Sequence, residues 1–205
     1  MSQHTDSLDT SLHPVAPSRH SGRRRAALRT GRWMLTFVAF PAGGLATDLI
    51  VGPVDAAPAA AAGGLLTGLV LGLVQAWGLG LHGRDALGWV LVTGAALAVA
   101  LPVATTAVGY GVRRSDLVVQ GLVCGFALGA AQGVFLRMRR LGGRWLPAVW
   151  PALVAAAWAV AWVVTSSVGV RVDEQFSVFG SSGALVATLM TVALPLHLDS
   201  RGSAA

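Results

Sequence analysis

The stretch Gly64-Leu65-Leu66-Thr67-Gly68-Leu69-Val70-Leu71-Gly72-Leu73-Val74-Gln75 decides the fold. It holds no charge, and its glycines recur every fourth residue. Residues four apart lie on one face of a helix, so this face is a flat stripe of small residues. The stripe continues through Ala76 to Gly80. It then reappears 57 residues later as Gly121, Gly125 and Gly129 with Gln132, and runs on to Gly133. A small-residue face lets two helix backbones approach closely, which is how helices gain packing energy in lipid.

A second series runs between these stretches. Trp33, Trp89 and Trp145 are spaced 56 residues apart, and each opens a long apolar run. The two series together predict a repeated unit of two membrane helices, with units at about 33–82, 89–137 and 145–198. The third unit is degenerate. Its stripe decays to Gly183, Ala187 and Thr191, and Met190 stands where the other two have glutamine.

Composition agrees with a membrane chain. Of 205 residues, 54% are hydrophobic and 12% charged, against about 25% charged in soluble domains. Six runs reach the roughly 20 apolar residues needed to cross a bilayer. They begin and end near Trp33 and Val51, Ala57 and Leu81, Leu87 and Tyr110, Leu117 and Leu136, Trp145 and Val170, and Phe176 and Leu198. Helix is the expected form, because lipid offers backbone groups no partner and the runs lack the alternation of a barrel strand. The expected fold is therefore an all-α integral membrane domain over residues 31–198, six helices in three parallel hairpins. Pro41 and Pro102 are expected to kink their helices. Residues 1–30 read as a disordered tail, and residues 199–205 as a short one.

All fifteen basic residues are arginine. Twelve fall in the N-terminal tail, the second and fourth breaks and the C-terminus, and three (Arg113, Arg114, Arg171) fall in the opposite breaks. The positive-inside rule then places both termini in the cytoplasm of a bacterial cell, and Trp33, Trp89 and Trp145 at the cytoplasmic headgroups as interfacial anchors. The basic pI is read as topogenic arginine beside anionic lipid, so the expected partner is the bilayer, with a membrane protein or second copy possible and no nucleic acid. Arg23-Arg24-Arg25 before an apolar run and Ala57-Pro58-Ala59 has the order of an export signal. Trp33 belongs to the repeat series, however, so the segment reads as an uncleaved first helix.

Few residues bear chemistry. Gln75 and Gln132 share one repeat position beside the stripe, and a glutamine in hydrocarbon needs a partner. They read either as interhelical glue or as the lining of a shared polar path. Asp48 is the acid placed inside a span, a functional candidate by default. The candidate path is thus Gln75, Gln132 and Asp48. Hydroxyls at Thr47, Thr67, Thr93, Thr105, Thr106, Thr165, Ser166 and Ser167 are expected to bond their own helix backbones. Cys124 is alone and reads as a packing residue. His4, His13 and His20 fit no metal spacing, so no metal or cofactor is expected. No HExxH, GxSxG or Walker loop is present, which argues against an enzyme.

The pattern Gly-x3-Gly-x3-Gly-x2-Gln, then a basic break and a tryptophan, resembles uncharacterised multi-pass proteins of actinobacteria and cyanobacteria. It is carried here by Gly64, Gly68, Gly72 and Gln75 with Arg84 and Trp89, and by Gly121, Gly125, Gly129 and Gln132 with Arg137 to Arg140 and Trp145. The resemblance implies a multi-pass membrane protein and no activity. The functions in view are a small transport or permeation component, or its accessory subunit, and a structural protein packed through its glycine faces.

Overall fold

A computed structural model describes residues 19–141, 143–168 and 175–196, with side chains from Ala27 onward. Every regular element among the described residues is helical, with no strand. The helices are α1 (Arg19–Leu35), α2 (Ala39–Ile50), α3 (Ala57–Leu79), α4 (Gly83–Ala107), α5 (Arg114–Met138), α6 (Leu146–Ser167) and α7 (Ser181–Met190). A short 3-10 turn, Thr36–Val38, joins α1 to α2. Each element packs on the next in sequence, and α7 closes the ring against α1, the 3-10 turn and α2.

Five helical stretches are long and apolar enough to cross a membrane, the first being Ala27–Ile50 across the 3-10 turn. The chain is a multi-pass membrane protein in contact with lipid. Apolar side chains that face away from the bundle, such as Leu49, Leu73, Val99 and Phe126, are exposed. The first span passes through its 3-10 turn just before Pro41. Proline removes one N–H and its ring crowds the carbonyl four residues back, here Phe37, inside the 3-10 turn. By contrast, α4 runs through Pro102 without a break in its helical assignment.

Two sequence expectations differ from what is observed. Helix α1 starts at Arg19 and so includes residues 19–30, which composition assigned to a disordered tail. Arginine, alanine and leucine are good helix formers and extend a span already nucleated. Residues 1–18 and 197–205 lie outside the described residues. The sixth apolar run is not one long helix. Phe176–Gly180 is non-helical and mostly buried, and α7 covers ten residues. Non-helical backbone at membrane depth is tolerated only where protein or a cavity surrounds it.

Glycines of α3 and α5 lie against the following helix. The most extensive interfaces are α3 with α4 and α5 with α6. A β-carbon on Gly68 would stand 2.8 Å from Gly94 Cα, and one on Gly72 2.9 Å from Val90 Cα. On Gly64 it would collide with the Leu97 carbonyl. In the second pair, a β-carbon on Gly121 would meet Trp158 O at 2.9 Å, on Gly125 Ala155 Cα at 2.8 Å, on Gly129 Pro151 Cα at 2.7 Å, and on Gly133 Pro147 O at 2.7 Å. Real β-carbons do not come so close, so each helix pair needs these glycines. The stripes thus join the end of one sequence unit to the start of the next.

Candidate functional site

The two glutamines meet. Gln132 Nε2 donates to Gln75 Oε1 at 3.3 Å and to Thr93 Oγ1 at 3.1 Å. Each glutamine carbonyl is also capped by an indole from the following helix: Trp89 Nε1 donates to Gln75 Oε1 at 3.3 Å, and Trp150 Nε1 to Gln132 Oε1 at 3.0 Å. All five side chains are buried. Gln132 therefore has both its carbonyl and its amide engaged. The space beside the pair is about 10 Å³, roofed by Trp33, Phe40, Trp158 and Thr188. That is on the scale of one water.

The tryptophans sort differently from their spacing. Trp33 and Trp89 are 1% and 0% exposed, and both indole N–H groups are spent inside the bundle, Trp33 on the Thr188 carbonyl at 3.2 Å. The 56-residue spacing predicts headgroup anchors, and the bundle instead buries both rings. Trp145 is 72% exposed, with the Arg144 guanidinium 5.4 Å over its ring. The partner of Trp89 in the second pair is Trp150, since each caps the glutamine of the helix before it. The connection Gly80 to His82 has three residues and Arg139 to Trp145 has seven. Four extra residues turn a Gln-to-Trp separation of 14 into one of 18. A reading by fixed 56-residue spacing lands on Trp145 and misses Trp150.

Asp48 stands apart from the glutamines. It is exposed near the end of α2 and lines a cleft of about 280 Å³ between α2, α6 and the chain entering α7. The cleft is walled by Pro41, Leu45, Trp162, Phe176, Val178 and Phe179, with Thr165 at its side. The chain that forms its back is well held. Gln120 Nε2 donates to Phe176 O at 3.0 Å, Gln175 Nε2 donates to Gly111 O, and Ser177 Oγ lies 2.7 Å from Thr67 Oγ1. Phe179 stacks on Phe40 at 4.9 Å and meets Trp158 and Trp162 edge-on. Gly180 then caps α7 in an extended conformation.

Five buried polar atoms lack a partner among the described residues: Gln120 Oε1, Thr165 Oγ1, Gln175 Oε1, Ser182 Oγ and Thr188 Oγ1. All belong to α7, to the chain entering it, or to residues against them. Buried polar atoms are normally satisfied; of these, Thr165 lines the Asp48 cleft and Thr188 the gap beside the glutamines. Gln120 is 1% exposed and holds the Phe176 carbonyl. Of the hydroxyls expected to bond their own helices, Thr105, Ser166 and Ser167 do. Thr47, Thr67 and Thr93 instead bond across elements.

Among the described residues, no group of histidine, cysteine and carboxylate side chains could hold a metal. Compared with protein-family models, curated proteins and solved structures, the chain matches none.

Proposed function

We propose that this chain is a small solute-handling component of a bacterial cytoplasmic membrane, with both termini cytoplasmic. Its solute site is the cleft at the broken sixth span, and the paired glutamines act as a structural clamp. The observation that carries this reading is the combination in one cleft of an exposed carboxylate, an aromatic wall and an unpartnered buried hydroxyl. Apolar pockets with a few convergent polar groups are the usual form of a small-molecule site. A carboxylate beside Trp162, Phe176 and Phe179 suits an apolar amine, since cations are attracted both by acids and by aromatic faces. Thr165 Oγ1 would take one hydrogen bond from the ammonium. Transport follows if the chain entering α7 moves, because that chain is the non-helical wall of the cleft.

The test uses purified protein in neutral detergent. An aryl-alkyl amine should quench tryptophan fluorescence saturably, and the carboxylic acid of the same shape should not. Asp48→Asn should lower the affinity at least tenfold, and uptake of the amine into proteoliposomes should fall with it. Equal binding of amine and acid, or an unchanged Asp48→Asn protein, would sink the reading. A structural protein is the second reading. It is favoured by the centre of the bundle, where Gln75 and Gln132 satisfy each other and leave about 10 Å³.

A further inference from the structure

The end of the bundle opposite Asp48 is basic in three dimensions as well as in sequence. Arg32 reaches the Trp77 carbonyl at 2.7 Å, and Arg139 pairs with Asp85 across the two hairpin turns. At the α5–α6 turn, Arg137, Arg140 and Arg144 converge with Pro147 on an open hollow of about 330 Å³. We propose that this hollow seats the phosphate of an anionic phospholipid.

Three observations point there. The first is charge. Three arginines line one hollow that has no acid among its lining residues, and Asp85, across the two hairpin turns, is engaged by Arg139. Guanidinium groups bind phosphate as planar forks, and basic pockets at the cytoplasmic ends of membrane helices take lipid headgroups.

The second is backbone. Arg140 has φ +55°, in the left-handed region that glycine occupies freely and other residues rarely adopt. The α3–α4 turn has the same geometry with glycine: Gly80 at φ +68°, and Leu81 N bonded to Ala76 O at 2.9 Å, as Leu141 N is to Leu136 O at 2.8 Å. The arginine adds a third cation where the turn itself asks for glycine.

The third is the rim. Met138, Trp145 and Val149 are 75%, 72% and 51% exposed around the same turn. Exposed apolar side chains beside a phosphate seat fit a ligand whose phosphate carries acyl chains, which a free phosphate lacks.

The experiment uses delipidated full-length protein in neutral detergent, with bound lipid counted by native mass spectrometry. Phosphatidylglycerol should be retained over phosphatidylcholine by on the order of 20-fold or more, about fivefold for each arginine at the surface. Arg137→Gln with Arg144→Gln should cut that preference about 25-fold, about fivefold for each, while Arg114→Gln at the far end should leave it intact. Should the double variant not survive purification, each single variant carries the test, with an expected fall of about fivefold. Three results overturn the proposal: no preference in the parent, a preference undiminished by the arginine substitutions, or displacement of phosphatidylglycerol by equimolar inorganic phosphate. The last would assign the hollow to a soluble anion.

Discussion

The α3–α4 and α5–α6 pairs are built on the same contacts and finished differently. Gly64, Gly68 and Gly72 meet Leu97, Gly94 and Val90; Gly121, Gly125 and Gly129 meet Trp158, Ala155 and Pro151. In both, an indole from the second helix caps a glutamine of the first. The differences lie at the ends. The first turn is short and holds Gly80 in its left-handed position; the second is four residues longer and holds Arg140 there. Gln132 also gains Thr93 as a partner, whereas Gln75 takes no comparable bond from its own neighbours. Backbone-to-backbone contact leaves no freedom at a stripe, because any side chain must displace main chain. Turns have that freedom, and there the two pairs have diverged toward charge.

Labelling would break the comparison most sharply, since its result is all or none. If both turns lie on the cytoplasmic face, single cysteines at Arg84 and Arg140 should resist an impermeant thiol reagent on whole cells, while one at Ser115 reacts. Opposite accessibility of the two turns would end the idea that the pairs are parallel. The buried native Cys124 leaves a silent background.

Next in size is overpacking. Gly68→Leu and Gly125→Leu each place a branched side chain against backbone, and should cost ~3 kcal/mol, the upper range for such changes. Both should melt well below the parent in detergent, and by similar amounts. Val99→Leu on the exposed face of α4 should melt like the parent. A large gap between the two glycine variants would show that the interfaces are not equivalent.

The glutamines should differ. Gln132→Leu removes three hydrogen bonds and strands the Trp150 N–H, so a loss of ~2–3 kcal/mol is expected; Gln75→Leu removes two and should lose ~1–2 kcal/mol. Chemical denaturation in mixed micelles would rank them. The reverse order would mean that Gln75, through its open side toward the central gap, holds a partner such as water.

The smallest effect is at the turns. Arg140→Gly should stabilise by about 0.5–1 kcal/mol, because glycine relieves the positive φ, and Gly80→Ala should destabilise by about the same. Stability unchanged by both would mean that the two turns tolerate a β-carbon equally.

Much of this was legible from residue spacing. The glycine stripe needed only a period of four and an apolar context to suggest close helix packing; close contacts occur at Gly64, Gly68 and Gly72 and from Gly121 to Gly133, whereas Gly80 caps its helix and a β-carbon there would meet nothing within 4 Å. The partnership of Gln75 with Gln132 could be suspected, because an amide in hydrocarbon must find a partner. Trp150 could not be found by fixed spacing, since one longer connection shifts the register by a helical turn. Asp48 was grouped with the glutamines because all three are polar residues in apolar runs, and proximity along that scale says nothing of which side of a helix each occupies.

The sequence alone determined that this chain lives in a membrane and where its five long apolar helices cross, because burying backbone in lipid is a demand that hydropathy answers directly. The tertiary structure decided the rest. Whether Phe176–Gly180 continues a helix depended on Gln120, Gly111 and Thr67 being in reach to satisfy its backbone and side chains. Likewise, three arginines became one hollow only because a left-handed turn at Arg140 folds them together. Both outcomes rest on contacts between residues distant in sequence or on a conformation that the residue type disfavours, and local pattern carries neither.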